Sequence, residues 1–475
     1  MKRNIRERGR TMKFKIREKT AIRMGAAVAA VSLLAVAMAA GSTSIATAKA
    51  PTVNISVASL VPGATAAATA SFNTQVLQFE KANPGIKVQS VSYDWTGPTF
   101  AADLAAGTLP TVFTVPFTDG RSLGENGQLA NLTKYAKAYP WFKQLNPAVI
   151  AEGIDAKKQV VAIPEAAYAQ ALQYNRQLFT QAGLDPNKPP TTWPEILADA
   201  KAITAKTGKA GFTEMGASDN TAGWILTTLT YALGGRMETG VGTSAKATFD
   251  NPAAIQALTY LHQMRWVDND MGSNFGLSWG TSNQAFAAGQ IGMYINGSDV
   301  YTNMVQADNI DPSIYGLAPI PTSGKNAGVL GGGTLVAVKP SASKAEIAAS
   351  MKWINFYYIQ ELVNKAGAIR NAKALIANNQ PLGVPEEPVF NEKTFNKAQK
   401  WIKPYINVPV TQMAPFINGI FKDKLVPEPE ASTQAVYGDL DSVVQAVLTN
   451  QSATNYAQLL DQANAVGQTS ISSGA

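Results

Sequence analysis

Residues 53–57 alternate apolar and polar side chains in steps of two, the period of a half-buried strand. Residues 70–82 then place Phe72, Val76, Leu77 and Phe79 at helical spacing, until Asn83, Pro84 and Gly85 stop the run. Alternation returns over residues 86–91, so the chain opens as strand, helix, strand, the βαβ unit of an α/β protein. The switching continues downstream. A helix over residues 100–106 leads to a strand at 111–115, and Thr192, Pro194 and Glu195 have the spacing of a capping box at a helix start. Ser218, Asp219, Asn220 and Thr221 form a polar capping segment before a helix that runs from Trp224 and ends at Gly234-Gly235. Further helices are expected over residues 252–266, 344–356, 432–448 and 453–466, with a strand at 335–338.

Residues 285–299, AFAAGQIGMYINGSD, compress this logic into one stretch. A helix ends, Gly289 falls at its C-terminal cap, residues 291–295 make a buried strand, and Asn296, Gly297 and Ser298 turn the chain. Polar side chains are thereby set at the carboxyl end of a strand, where open α/β sheets bind ligands. The triple glycine 331–333 carries no GxGxxG fingerprint and no Walker lysine, so close backbone approach explains it better than a nucleotide.

Composition fits a soluble chain of 475 residues, long enough for two substantial cores, with 46% hydrophobic and 15% charged residues. The net charge of +7 suggests nucleic acid only until it is located. Residues 1–25 hold ten Lys or Arg and two Glu, a net of +8, which leaves about −1 for everything else. A near-neutral body has no footprint for a phosphate backbone. That basic start precedes an uncharged run over residues 24–40 and two A-x-A patterns, the layout of an export signal over residues 1–48. The alternative is an uncleaved membrane anchor. With no cysteine in the sequence, disulfides, thiolate metal sites and a lipid-modified cysteine at the end of the leader are all excluded.

Candidate binding residues gather at strand ends: Trp95, Tyr168, Trp224, Trp279 and Tyr294 as aromatic platforms, Asn296 in the turn, and Gly332 in the glycine run. Asp119 lies just past the strand at 111–115 and is placed either to accept from a ligand hydroxyl or to cap the helix near Arg121. Trp193 reads as a packing residue, and the lone His262, on a Leu- and Met-bearing helix, as structural. No metal or cofactor is called for.

Several segments carry a resemblance. The pattern F286..G289..M293...G297, the phrase FEKANPGIKV, the segment GTLPTV, the run from Ile163-Pro164 to Tyr174-Asn175, and LFTQAGLDPNKPPTTWPE together resemble the extracellular solute-binding proteins of family 1. Thr111 departs from the aspartate common in that family. The resemblance implies an α/β, two-lobe fold of the maltose-binding-protein type, with three crossings between lobes. Residues 49–164 plus 322–375 would make one lobe and 165–321 plus 376–475 the other, with residues 315–321 as the second crossing. It implies Glu165 and Tyr168 at the first crossing facing the cleft, or standing on its rim, with Arg370 near the third crossing and Tyr437 presenting a ring to the ligand. It further implies a monomer, exported to the periplasm or cell surface, that captures a sugar, often an oligosaccharide, and delivers it to the permease subunits of an ABC importer. Two other readings stand beside this one: a peptide or polyamine receptor on the same fold, and a secreted carbohydrate-active enzyme using Asp119 and Glu165 as a carboxylate pair.

Overall fold

A computed structural model describes residues 52–474 apart from 61–65, 94 and 241–243, so the expected leader lies outside the described residues. The opening unit forms as Val53–Leu60, Ala66–Ala82 and Ile86–Ser92, with the two strands parallel. Val112–Pro116 pairs on the other side of the first strand, also in parallel. Two long strands then make the frame: Ala162–Asn175 and Val329–Val338, antiparallel to each other. Beyond them come Ile291–Gly297 and Ala210–Phe212, while Tyr315–Pro319 and Leu425–Pro427 pair alongside the long strands.

Contacts join residues 51–475 into one unit, but the apolar interior falls into two cores and both long strands feed each of them. Ala162, Ile163 and Ala167 pack in the first core, whereas Ala169, Ala171 and Leu172 pack in the second. In the other long strand Leu335 to Val338 belong to the first core, and Val329 and Leu330 to the second. The first core centres on Trp353, which stacks on Tyr357 at 5.0 Å and meets Phe72 and Phe79 edge-on at 5.8 and 5.2 Å. Removing that indole would cost about 3–5 kcal/mol by the usual large-to-small accounting.

The passages between cores fall later than the sequence suggests. Residues 315–321, expected to cross, pack wholly in the second core through Tyr315, Leu317, Ala318 and Ile320. The chain changes cores at the glycine run instead, between Leu330 and Leu335. Further on, Val384 packs against the second core, Val389 and Phe390 pack in the first, and Val408 in the second again. Hinge glycines thus stand where the notion of a crossing needs backbone without bulk.

Local chemistry explains the element ends. Thr192 and Glu195 form the expected capping box on Trp193–Thr207, and Trp193 is buried, its indole donating to the Pro321 carbonyl at 3.1 Å. Trp279–Ala287 stops before Gly289, whose φ of +70° turns the chain into Ile291–Gly297. The helix Thr221–Ala232 is a different case. Its leading residue Asn220, at φ +74°, makes no side-chain cap. Asp441, from the helix Thr433–Thr449, accepts the Asn220 and Gly223 N–H groups at 2.8 Å each. A distant carboxylate thus satisfies the helix start, an arrangement that local sequence could not announce. Among the described residues no helix is long and apolar enough to cross a membrane.

Candidate functional site

The strand ends of both cores open onto one hollow of about 390 Å³, at the low end of the range for small-molecule sites. Trp95, Thr118 and Asp119 line it from the first-core side. Tyr168 and Gly333 contribute from the two long strands. Asp219, Asn220, Thr221, Trp224, Trp279, Glu428, Gln434 and Tyr437 line it from the second-core side. Six of the residues expected from sequence therefore meet here: Trp95, Asp119, Tyr168, Trp224, Trp279 and Tyr437.

Each ring has a reason to stand where it does. Trp279 opens its helix and is 37% exposed, a large apolar surface left to solvent at the cleft. Its indole N–H donates at 3.0 Å to Asn296 Oδ1, and the Asn296 amide donates in turn to Asn283 Oδ1 at 2.9 Å. Asn296 is itself buried, so it positions the ring rather than lining the hollow. Tyr168 and Trp224 stand at 83° with centroids 6.3 Å apart, an edge-to-face corner. Gly332 lies beneath that corner. A Cβ there would collide with the Tyr168 hydroxyl and come within 3.0 Å of Glu428 Oε2, so glycine is what lets the phenol and the carboxylate close in.

Glu428 anchors the polar side. Tyr437, almost wholly buried, donates its hydroxyl to Glu428 Oε1 at 2.8 Å, and the Trp224 side chain nearby also favours the anion. Burial nevertheless pushes the Glu428 carboxyl up to about 7, because the desolvation of its anion outweighs both, and Glu152 and Asp119 add repulsion. Asp119 sits in the first turn of Phe117–Glu125, where burial raises its carboxyl and the Thr118 hydroxyl, donating at 2.6 Å, pulls it back. An ion pair between Arg121 of that helix and Glu430 ties the first-core side to the segment carrying Glu428.

The remaining expected residues are elsewhere. Tyr294 is completely buried and donates its hydroxyl to Asn283 Oδ1 at 2.8 Å; its ring packs on Phe286 in the second core. Arg370 lies over Phe356 at 4.4 Å and donates to the Phe356 carbonyl at 2.9 Å. Glu165 lines a separate hollow with Glu361 and Asn371. The cause is a slip in register: Thr334 pairs with Ala166 but Leu335 with Pro164, which leaves Glu165 as the extra residue of a bulge that re-aims its side chain. Asp119 and Glu165 thus line different cavities, and the carboxylate pair weighed for hydrolysis is not assembled. Among the described residues no group of three or more His, Asp or Glu side chains is placed to hold a metal ion.

Sequence reasoning missed Glu428, Gln434 and Gly333 and read Asp219, Asn220 and Thr221 only as caps. The sole local sign of Glu428 is the turn Pro427, Glu428, Pro429, Glu430 ahead of the helix that carries Tyr437. That motif reads first as an exposed loop.

With this geometry in place, comparison with known proteins is decisive about family. The profile of the bacterial extracellular solute-binding proteins matches residues 59–359. The chain belongs to that family. Among curated relatives, the sn-glycerol-3-phosphate-binding periplasmic protein of Brucella abortus is 27% identical over 184 residues, 38% of this chain and 40% of that protein. The match thus spans well under half the length of such relatives. Among solved structures, the cyclic alpha-maltosyl-1,6-maltose binding protein of Arthrobacter globiformis superposes with a TM-score of 0.68 at 20% identity, over 89% of this chain and all of that one. The cycloalternan complex of an ABC substrate-binding protein from Listeria monocytogenes superposes with a TM-score of 0.64, again at 20% identity, over 87% and 98% of the two chains. These likenesses show the fold: two lobes, each with sheet and flanking helices, joined by the long strands.

Proposed function

We propose that this solute-binding protein captures a sugar between its lobes, changes from an open to a closed form around it, and delivers it to the permease subunits of an ABC importer. The observation that carries the reading is the composition of the cleft: Trp95, Tyr168, Trp224, Trp279 and Tyr437 beside Asp119 and Glu428, drawn from both lobes and from the crossing strands. Sugars present apolar C–H faces and a rim of hydroxyls, and aromatic faces with carboxylate acceptors match both. Contact from both lobes is also what the motion requires, since a ligand shifts an open–closed equilibrium only through its different affinity for the two forms. The ends of the long strands, with the glycines at 331–333, are where the backbone would absorb the rotation.

Family membership and the periplasmic relatives support export, with the protein acting as a monomer in the periplasm or at the cell surface; the reading needs no covalent step. The similar solved proteins that bind maltosyl rings and cycloalternan support an oligosaccharide as the expected cargo. Calorimetric titration of the whole chain against a panel of mono- and oligosaccharides tests the proposal. A saturable heat that disappears in Trp224→Ala, while the variant keeps its fold, is the expected result. Titrations that stay flat for every saccharide while an unrelated solute binds would overturn it.

A further inference from the structure

The cleft presents carboxylates to a ligand without a cation beside them. Its titratable walls are Asp119, Asp219 and Glu428, and no Lys, Arg or His is among its described lining residues. Some of its donors are spent on one another, although the buried Trp95 indole N–H has no partner. Tyr437 gives its hydroxyl proton to Glu428, Thr118 gives its own to Asp119, and the Asn220 amide donates at 3.1 Å to Gln434 Oε1. Arg121, the nearest guanidinium on the first-lobe side, is paired with Glu430. Arg236 and Lys424 line an adjoining depression; the Arg236 guanidinium donates at 2.9 Å to the Asn326 carbonyl and lies 5.0 Å from the Tyr231 ring centroid. The carboxylates of the cleft are therefore not neutralised from within.

A neutral sugar hydroxyl both donates and accepts, but it would leave the charge of the carboxylates without a counter-ion. A phosphate, which only accepts, would meet repulsion. A protonated amine has donors and no acceptor, which suits a wall of carboxylates. The edge-to-face corner of Tyr168 and Trp224, with Tyr437 beside it, adds electron-rich ring faces that attract a cation. We propose that the solute held in this cleft is an amine-bearing saccharide, an amino sugar with its nitrogen protonated, in preference to a neutral glycan or a sugar phosphate. The proposal rests on the sugar reading and names the class of sugar within it.

Glu428 would hold the ammonium. It faces Asp119 and Glu152 from the first lobe, Tyr168 from the crossing strand, and Tyr231 and Tyr437 from the second lobe. None of these neutralises it, so a carboxyl raised to about 7 would ionise as the cation arrives and release a proton.

The test is calorimetry at pH 7 on the whole chain with matched probes: glucosamine oligosaccharides of one to three units, their N-acetylated counterparts, neutral glucans of the same lengths, glycerol 3-phosphate and spermidine. The free-amine form should bind at least about tenfold tighter than its acetylated twin. Its enthalpy should vary with the ionisation heat of the buffer, as proton release requires. Glu428→Gln should abolish that variation and most of the preference for the amine over its acetylated twin. Acetylated or neutral sugars binding as tightly as the amine would overturn the amine assignment and leave the sugar reading standing. Spermidine binding with every saccharide inert would overturn both. If Glu428→Gln melts abnormally, buffer dependence in the unaltered chain still decides, and its absence counts against the proposal.

Discussion

Among the acid-lined hollows of the described residues, the cleft and the one around Glu165 differ in what their carboxylates meet. In the cleft, Glu428 accepts from the Tyr437 hydroxyl and has aromatic rings around it. In the second hollow, Glu165, Glu361 and Glu386 face one another, and each of Glu165 and Glu361 is pushed up to about 8 by burial and then by a neighbouring acid. The aromatic side chain beside them, Tyr357, has already committed a face to Trp353, stacked at 13°. Arg370 pulls the Glu361 carboxyl back only in part, being occupied with Phe356. The difference suits the proposed role of the cleft, where a donor holds the carboxylate and rings stand beside it. Where carboxylates meet each other, they are a protonation-dependent part of the frame.

The largest effect that would break this comparison is at the ring corner. Trp224→Ala should weaken sugar binding by more than about a hundredfold, the combined loss of a platform and of the edge-to-face support of Tyr168. Glu165→Gln should leave affinity within about threefold, since it lines the other hollow; a large loss there would show the two cavities to act as one. Next comes Gly332→Ala, whose methyl must displace Tyr168 or Glu428, and about a tenfold loss by calorimetry is expected.

The second hollow should show itself through pH. Its carboxyls sit above the unfolded value of about 4.5, so between that value and about 8 the folded chain binds more protons than the unfolded one. Stability is then greatest at the acid end of that window and falls as pH rises through it. Thermal melts should drop from pH 5 to pH 8, and Glu165→Gln together with Glu361→Gln should flatten that slope and raise the pH 8 midpoint by about 3–5 °C. A slope unaltered by the double change would remove the second hollow as its source. The smallest effect is expected at Arg121→Ala, which cuts the ion pair to Glu430 between lobes. Both partners are about a quarter exposed, so affinity should move by no more than about threefold.

How much of this was legible in the sequence differs between frame and site. The βαβ opening, the capping box at Thr192 and the turn at Gly289 were readable because each is fixed by residues within a few positions of one another. The expected lobe bounds put residues 315–321 and 335–338 with the cores they join, but the point at which the chain changes cores was not legible, because only packing shows that Val329 and Leu330 still serve the second core. Rings at strand ends were found by their positions, and five of the six aromatic candidates reached the cleft. Tyr294 did not, because alternation in Ile291–Gly297 turned it inward to Asn283. Glu165 was lost to a bulge, and Glu428 was missed because its partner Tyr437 and its neighbour Gly332 are brought to it only by the fold.

Small-angle scattering of the chain, with and without a saturating saccharide identified by calorimetry, tests the central claim most directly. A sugar gripped by both lobes should reduce the radius of gyration, and Trp224→Ala should show no such change under the same conditions. Identical dimensions with sugar demonstrably bound would contradict the account, because a ligand held across these crossing strands must favour the closed form.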